Sequence, residues 1–147
     1  MGLPKEKYIG FQSKLARHAL FLQNMGAYSC LFLCLCSITE EYFELHEPER
    51  KFDILEAAIK CREKGLIDHE WTCKTVDILN FLTGRRWGKK NMEKLPERIP
   101  ENMYTVEKWF NERTKYTHFR RRWGDTLDNS VTVKEGVLSC YYVFTHD

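Results

Sequence analysis

"GAYSCLFLCLCSITEEY", residues 26–42, decides how the rest of the chain is read. Leu31, Leu33, Leu35 and Ile38, with Phe43 just beyond, point several ways around a helical wheel. A helix from Ala27 to Tyr42 would therefore be apolar on nearly every side, and such helices lie in the middle of a domain. Gly26 breaks the pattern before it, and Glu40 and Glu41 mark its wetter end. The apolar part, residues 27–38, is too short to cross a bilayer, which takes ~20 residues. The start of a buried helix just after a glycine favours a nucleophile, because free N–H groups and the positive dipole end make a thiol more acidic and can hold an oxyanion. Yet the first turn opens with Ala27. Either a small apolar residue simply starts the helix, or Ala27 stands where a reactive side chain belongs. Cys30, at i+3, can share its face, but the apolar run around it reads as inert packing.

Working outward, "FQSKLARHALFLQ" (11–23) repeats Phe11, Leu15, Ala19 and Leu22 at helical spacing and predicts an amphipathic helix running up to Gln23. "HEPERKFDILEAAIKCREKGLI" (46–67) predicts a helix with Phe52, Leu55 and Ile59 inward, Pro48 near its start and Gly65 as its stop. "TCKTVDILNFLTG" (72–84) repeats the design, with Thr72 as N-cap, Val76, Leu79 and Phe81 or Leu82 inward, and Gly84 closing it. Residues 85–102 turn polar, basic and proline-bearing, which describes a long connection with room for one short strand. From Met103 onward "MYTVEKWF", "KYTHFR", "RWGDTLDNSVTV" and "GVLSCYYVFTH" are rich in β-formers, with Gly124, Asp128-Asn129 and Gly136 supplying turns. The expected architecture is α+β: N-terminal helices, including the buried central one, packed on a C-terminal antiparallel sheet.

The chain's 147 residues fit one domain, spanning 1–147, that buries roughly two-thirds of its unfolded surface. A formal net charge of +2 demands neither a nucleic-acid nor a membrane partner. "MGLPKEKYIG" lacks the apolar stretch of a secretory signal, so the expectation is a cytoplasmic protein. In a reducing compartment the six cysteines read as small buried hydrophobes. Their spacing carries no zinc signature, and no motif calls for a metal or a cofactor.

A base for a nucleophile has to come from the sheet. "YTHFRRRWGDTLDNS" (116–130) holds His118 and, seven residues on, Asp125. With Arg121 and Arg122 as a two-residue hairpin tip, His118 faces Asp125 across the strands, at the ~4.5–5.5 Å Cβ separation that lets a carboxylate orient an imidazole. Asp128 takes that role if the register shifts. His18, His46, His69 and His146 have no such company and read as surface residues.

Gln23, the Gly26-Ala27-Tyr28 start of a buried helix, "DILNFLTG", and above all "THF" followed by "DTLDNSVTVKEGVLS" resemble a small, mostly phage-borne family similar to C39-type, papain-fold cysteine peptidases. In that family the helix opens Gly-Cys-Tyr, the histidine lies in a Thr-His-Phe strand and the Asp begins an Asp-x-Leu-x-x-Ser segment. The resemblance implies a papain-like fold, His118 as general base, Asp125 as its orienter and Gln23 as oxyanion-hole donor. It puts the nucleophile on Ala27, where there is no thiol. An inactivating Cys-to-Ala change and a natural pseudoenzyme both account for that.

Three functions follow. The first is thiol hydrolysis of an amide or isopeptide bond in a protein or peptide, if position 27 is natively Cys. The second is a catalytically silent phage adaptor or anti-defence protein that binds a host protein in the host cytoplasm. The third is a basic nucleic-acid-binding module built on "RRWGKK" and "RRRW", with Arg85, Arg86, Lys89, Lys90, Arg120, Arg121 and Arg122 meeting phosphates beside stacking rings. A solvated surface loop is the plainer reading of both basic runs.

Overall fold

The computed structural model describes residues 8–12, 29–68, 70–122 and 124–147. The expected first helix falls mainly outside these residues, as do Gln23, Gly26 and Ala27. The long apolar run folds as helix α1, Cys30–His46. It begins three residues later than expected: Ser29 occupies the N-cap position, and its carbonyl accepts the Leu33 N–H at 2.8 Å. At the other end Glu47 adopts an extended φ of −143° before Pro48, whose ring disfavours helix in the residue preceding it. Every residue from Phe32 to Phe43 is buried, so α1 is indeed the central helix.

Helix α2, Ile54–Glu63, is capped by Asp53, whose carboxylate accepts the Glu56 N–H at 2.8 Å. Its inward face is Ile54, Ala57, Ala58 and Cys61, while Leu55 and Ile59 are exposed. The expected face was wrong because two small alanines, not the larger leucine and isoleucine, allow close approach to the core. Helix α3, Thr75–Thr83, turns in Ile78, Leu79 and Leu82 and ends at Gly84, whose φ of 73° suits a residue without Cβ. Lys74, not Thr72, sits at its N-cap; the Thr72 N–H is bound to Asp68.

Four strands follow: β1, Trp87–Met92; β2, Met103–Phe110; β3, Thr117–Arg120; and β4, Val137–His146. They form one antiparallel sheet in the order β1-β4-β2-β3. Strand β1 is the short strand foreseen in the basic connection. The expected strand over "RWGDTLDNSVTV" does not form: residues 125–130 are irregular, and Val131–Lys134 make a single helical turn, α4. Asp125, Asp128, Asn129 and Ser130 offer the backbone side-chain partners in place of a ladder.

The architecture is α+β. Phe32, Leu33, Leu35, Ile38, Ile78, Leu79, Val106 and Phe144 are at most 0% exposed and belong to one apolar cluster joining α1 and α3 to the sheet. Each such side chain contributes roughly 1.5–3 kcal/mol by leaving water. A narrower stripe of α1 is different: Cys30, Cys34, Ser37 and Glu41 recur at i, i+4, i+7 and i+11, which brings them onto one side of the helix. That stripe meets the β3 end of the sheet. No helix among the described residues is long and apolar enough to cross a membrane.

Candidate active site

Strand β3 brings His118 to the sheet edge, opposite Trp109 of β2. The hairpin beyond it closes differently from the expected two-residue tip. Arg121 bridges Gly124, so the pairing is shifted by two residues and Asp125 is in no strand. The chain then turns, and the Asp125 side chain swings back to His118 all the same: Nε2 of the ring lies 2.6 Å from Asp125 Oδ1. The same oxygen accepts the Leu127 N–H at 3.0 Å, a local turn that fixes the carboxylate's direction. Residues 8–12 strap this loop from outside. The Gly10 and Gln12 N–H groups donate to the carbonyls of Asp125 and Thr126, and the Thr126 hydroxyl donates to Gln12 Oε1 at 2.9 Å. Gly10 needs to be glycine, since its φ is 71° and a Cβ there would meet Asp128 Oδ1 at 2.5 Å.

Cys30, the first residue of α1, also acts on the charge of the His118 ring. Cys30 is 8% exposed and His118 4%, so both side chains are nearly dry. Burial pulls the imidazole's pKa down, but the hydrogen bonds to Asp125 and Cys30 and their negative charge outweigh it, pushing it from 6.5 up to about 9. Burial would raise Asp125, yet His118, the Leu127 N–H and Arg120 hold its carboxyl below the usual range. Cys34, Cys36, Cys61 and Cys73 are each pushed up by burial, Cys61 to about 11 and Cys73 to about 12, so they remain neutral thiols. The first N–H groups of α1, which have no partner within the helix, lie at Cys30.

One buried cation locks these parts together. Arg121 is 3% exposed; its Nε donates to the Thr105 carbonyl at 3.0 Å, Nη1 to Ser37 Oγ at 3.1 Å and Nη2 to Glu41 Oε2 at 3.3 Å. It ties the hairpin that carries His118 to the helix that carries Cys30. This overturns its expected place in a basic surface patch: a guanidinium already bonded to a buried carboxylate offers nothing to a phosphate. The two basic runs also lie apart, since Arg85, Arg86, Lys89 and Lys90 lead into or lie on β1, and Arg120 to Arg122 end β3, at opposite sheet edges. Arg85 and Arg86 are exposed, and Arg85 Nε donates to the Tyr42 hydroxyl at 2.6 Å. Arg120 is half-buried on Glu107, and Arg122 is exposed.

His118 and Asp125 thus meet as expected, while the exposed Asp128 lies against Gly10. His146, read as a surface residue, is buried. Cys30 was passed over as packing, although Ser29 before it is a standard N-cap residue and marks the helix start. Among the described residues no group of three or more His, Cys, Asp and Glu could hold a metal ion. No family model, curated protein or solved structure matches the chain.

Proposed function

We propose that the chain is a papain-like thiol hydrolase of amide or isopeptide bonds, with Cys30 as nucleophile, His118 as acid and base and Asp125 as the orienter of His118. What supports this reading is one buried imidazole hydrogen-bonded to a carboxylate, its pKa raised by that carboxylate and by the cysteine that opens the buried central helix. The order of parts, nucleophile on a helix and base on a sheet strand, is that of the family the sequence resembles. With Cys30 in the role, Gln23 stands seven residues before the nucleophile, a spacing nearer to papain-type enzymes than its distance from Ala27. Ala27 then has no part in the chemistry, and neither an engineered change nor a lost enzyme is needed.

In the first half-reaction the Cys30 thiolate attacks the carbonyl carbon, and the oxyanion forms beside the first N–H groups of α1, which have no partner within the helix. His118, protonated at neutral pH, gives its proton to the leaving amine as the C–N bond breaks, leaving an acyl-thioester. In the second, His118 takes a proton from water, hydroxide adds to the thioester, and the acid leaves as the thiol is restored. Asp125 keeps one tautomer and one ring orientation throughout. The test is a p-nitrophenyl ester read by stopped-flow absorbance and peptide mapping. The reading expects a burst, an acyl group mapped to Cys30, and slow deacylation in His118→Ala; an acyl group on any other cysteine, or none, contradicts it.

A further inference from the structure

Strand alternation places His118 and Arg120 on one side of β3, and the register sets Trp109 and Glu107 of β2 directly opposite them. Trp109, Glu107 and Arg120 touch one another. Trp109 Nε1 donates to Glu107 Oε1 at 2.8 Å, Arg120 Nε donates to the same oxygen at 2.7 Å, and the guanidinium carbon lies 5.1 Å from the Trp109 ring centroid. The fork is therefore held by one nitrogen and by stacking, while Nη1 and Nη2 have no hydrogen bond to the described residues. Arg121 next to it is the contrast, with all three nitrogens used. The Arg120 side chain is 29% exposed against 5% for His118, so water reaches the cation beside the dry triad. Its charge is felt at Asp125.

From these observations we infer, on the basis of the hydrolase reading above, that Arg120 is the specificity residue of the site and that its Nη edge, unbonded to the described residues, receives a carboxylate of the substrate. A guanidinium immobilised on an aromatic wall with its terminal pair open suits a two-pronged carboxylate, and little further freedom is lost on binding. His118 and Arg120 are roughly 7 Å apart along the strand, the length of about two residues of extended peptide. The favoured substrates are thus peptides or isopeptides with an acidic side chain within about two residues of the bond that is cut. Glu107 cancels much of the charge at long range, so recognition is short-range and directional, not diffusive steering.

Two isosteric alkylating probes test this without knowledge of the natural substrate: N-iodoacetyl-glutamyl amide and N-iodoacetyl-glutaminyl amide, which differ only by the side-chain charge. Rates of Cys30 modification are followed by mass spectrometry. The wild-type chain should prefer the glutamyl probe by roughly tenfold, the size of a hydrogen-bonded charge contact. Arg120→Gln should bring the ratio of the two rates to about one, whatever happens to their absolute size, as expected when the charge contact is what separates the probes. Because that variant leaves Glu107 buried and unpaired, the double variant Glu107→Gln, Arg120→Gln is run beside it, and it should lose the preference equally. A wild-type ratio near one, or a preference that survives in either folded variant, overturns the assignment of Arg120. If Cys30 reacts slowly with both probes in the wild type, the hydrolase reading itself fails, and the acidic substrate class falls with it.

Discussion

Two buried histidines sit on strands of the same sheet, yet only one is paired with a carboxylate. His118 has Nε2 bound to Asp125, and Cys30 at the start of α1 acts on its charge. His146, 9% exposed, packs near the other end, among the rings of Tyr42, Trp87 and Tyr104. Its Nδ1 faces the Asp147 carbonyl at 3.0 Å, so that nitrogen carries the proton, and Nε2 finds no partner among the described residues. Burial is common to both. What differs is whether a proton on the ring has somewhere to go, and that is decided by Asp125 and Cys30.

If partners make the difference, removing what holds them should cost most. Arg121→Met strands Glu41 in the interior without its cation, and a loss of about 3–5 kcal/mol is expected in urea unfolding. Burial already pushes Glu41 up with Arg121 offsetting only part, so the penalty should shrink as the pH falls and the carboxyl protonates. A cost that stays the same on acidification would deny that a stranded charge is its cause.

The pH dependence of stability separates the two histidines next. A histidine whose folded pKa is raised stabilises the fold fully below its unfolded value, near 6.5, and that contribution is lost as the pH climbs through about 9. Unfolding measured at about pH 6 and about pH 10 should differ, through this group, by on the order of 1–3 kcal/mol. The difference should disappear in His118→Gln and persist in His146→Gln. A smaller effect is expected for Asp125→Asn, which removes the charge but keeps the shape: the His118 titration, followed by NMR, should move down by on the order of one unit. The smallest belongs to His146→Phe. Replacing an imidazole with an unpartnered nitrogen by a ring of similar size should change stability by less than about 1 kcal/mol in denaturant melts.

Much of this was legible in the chain. Strands β2 and β4 follow from dense β-formers, α3 from its apolar spacing and closing Gly84, and the His118 and Asp125 pair from a separation of seven. The hairpin register was not, because Arg-rich tips carry no glycine signal to fix a turn, yet the pair survives since a turn aspartate can reach back to its neighbour strand. Arg121 was hidden by its own composition: within "RRR" nothing marks one arginine for burial, and its partner Glu41 is 80 residues away. Cys30 was hidden in a run of Leu, Phe and Cys where hydrophobicity has one value. The polar stripe Cys30, Cys34, Ser37 and Glu41 was the available signal, meaningful once a partner surface is known to face it.

The central claim is that Cys30 is activated by His118, and the rates of iodoacetamide alkylation at each cysteine, resolved by peptide mapping at neutral pH, test it most directly. Cys30 should react roughly tenfold or more faster than Cys140, although Cys140 is the better exposed of the two. His118→Ala should erase that advantage and His146→Ala should leave it intact. A Cys30 that reacts no faster than Cys140, or equally fast without His118, would contradict the account.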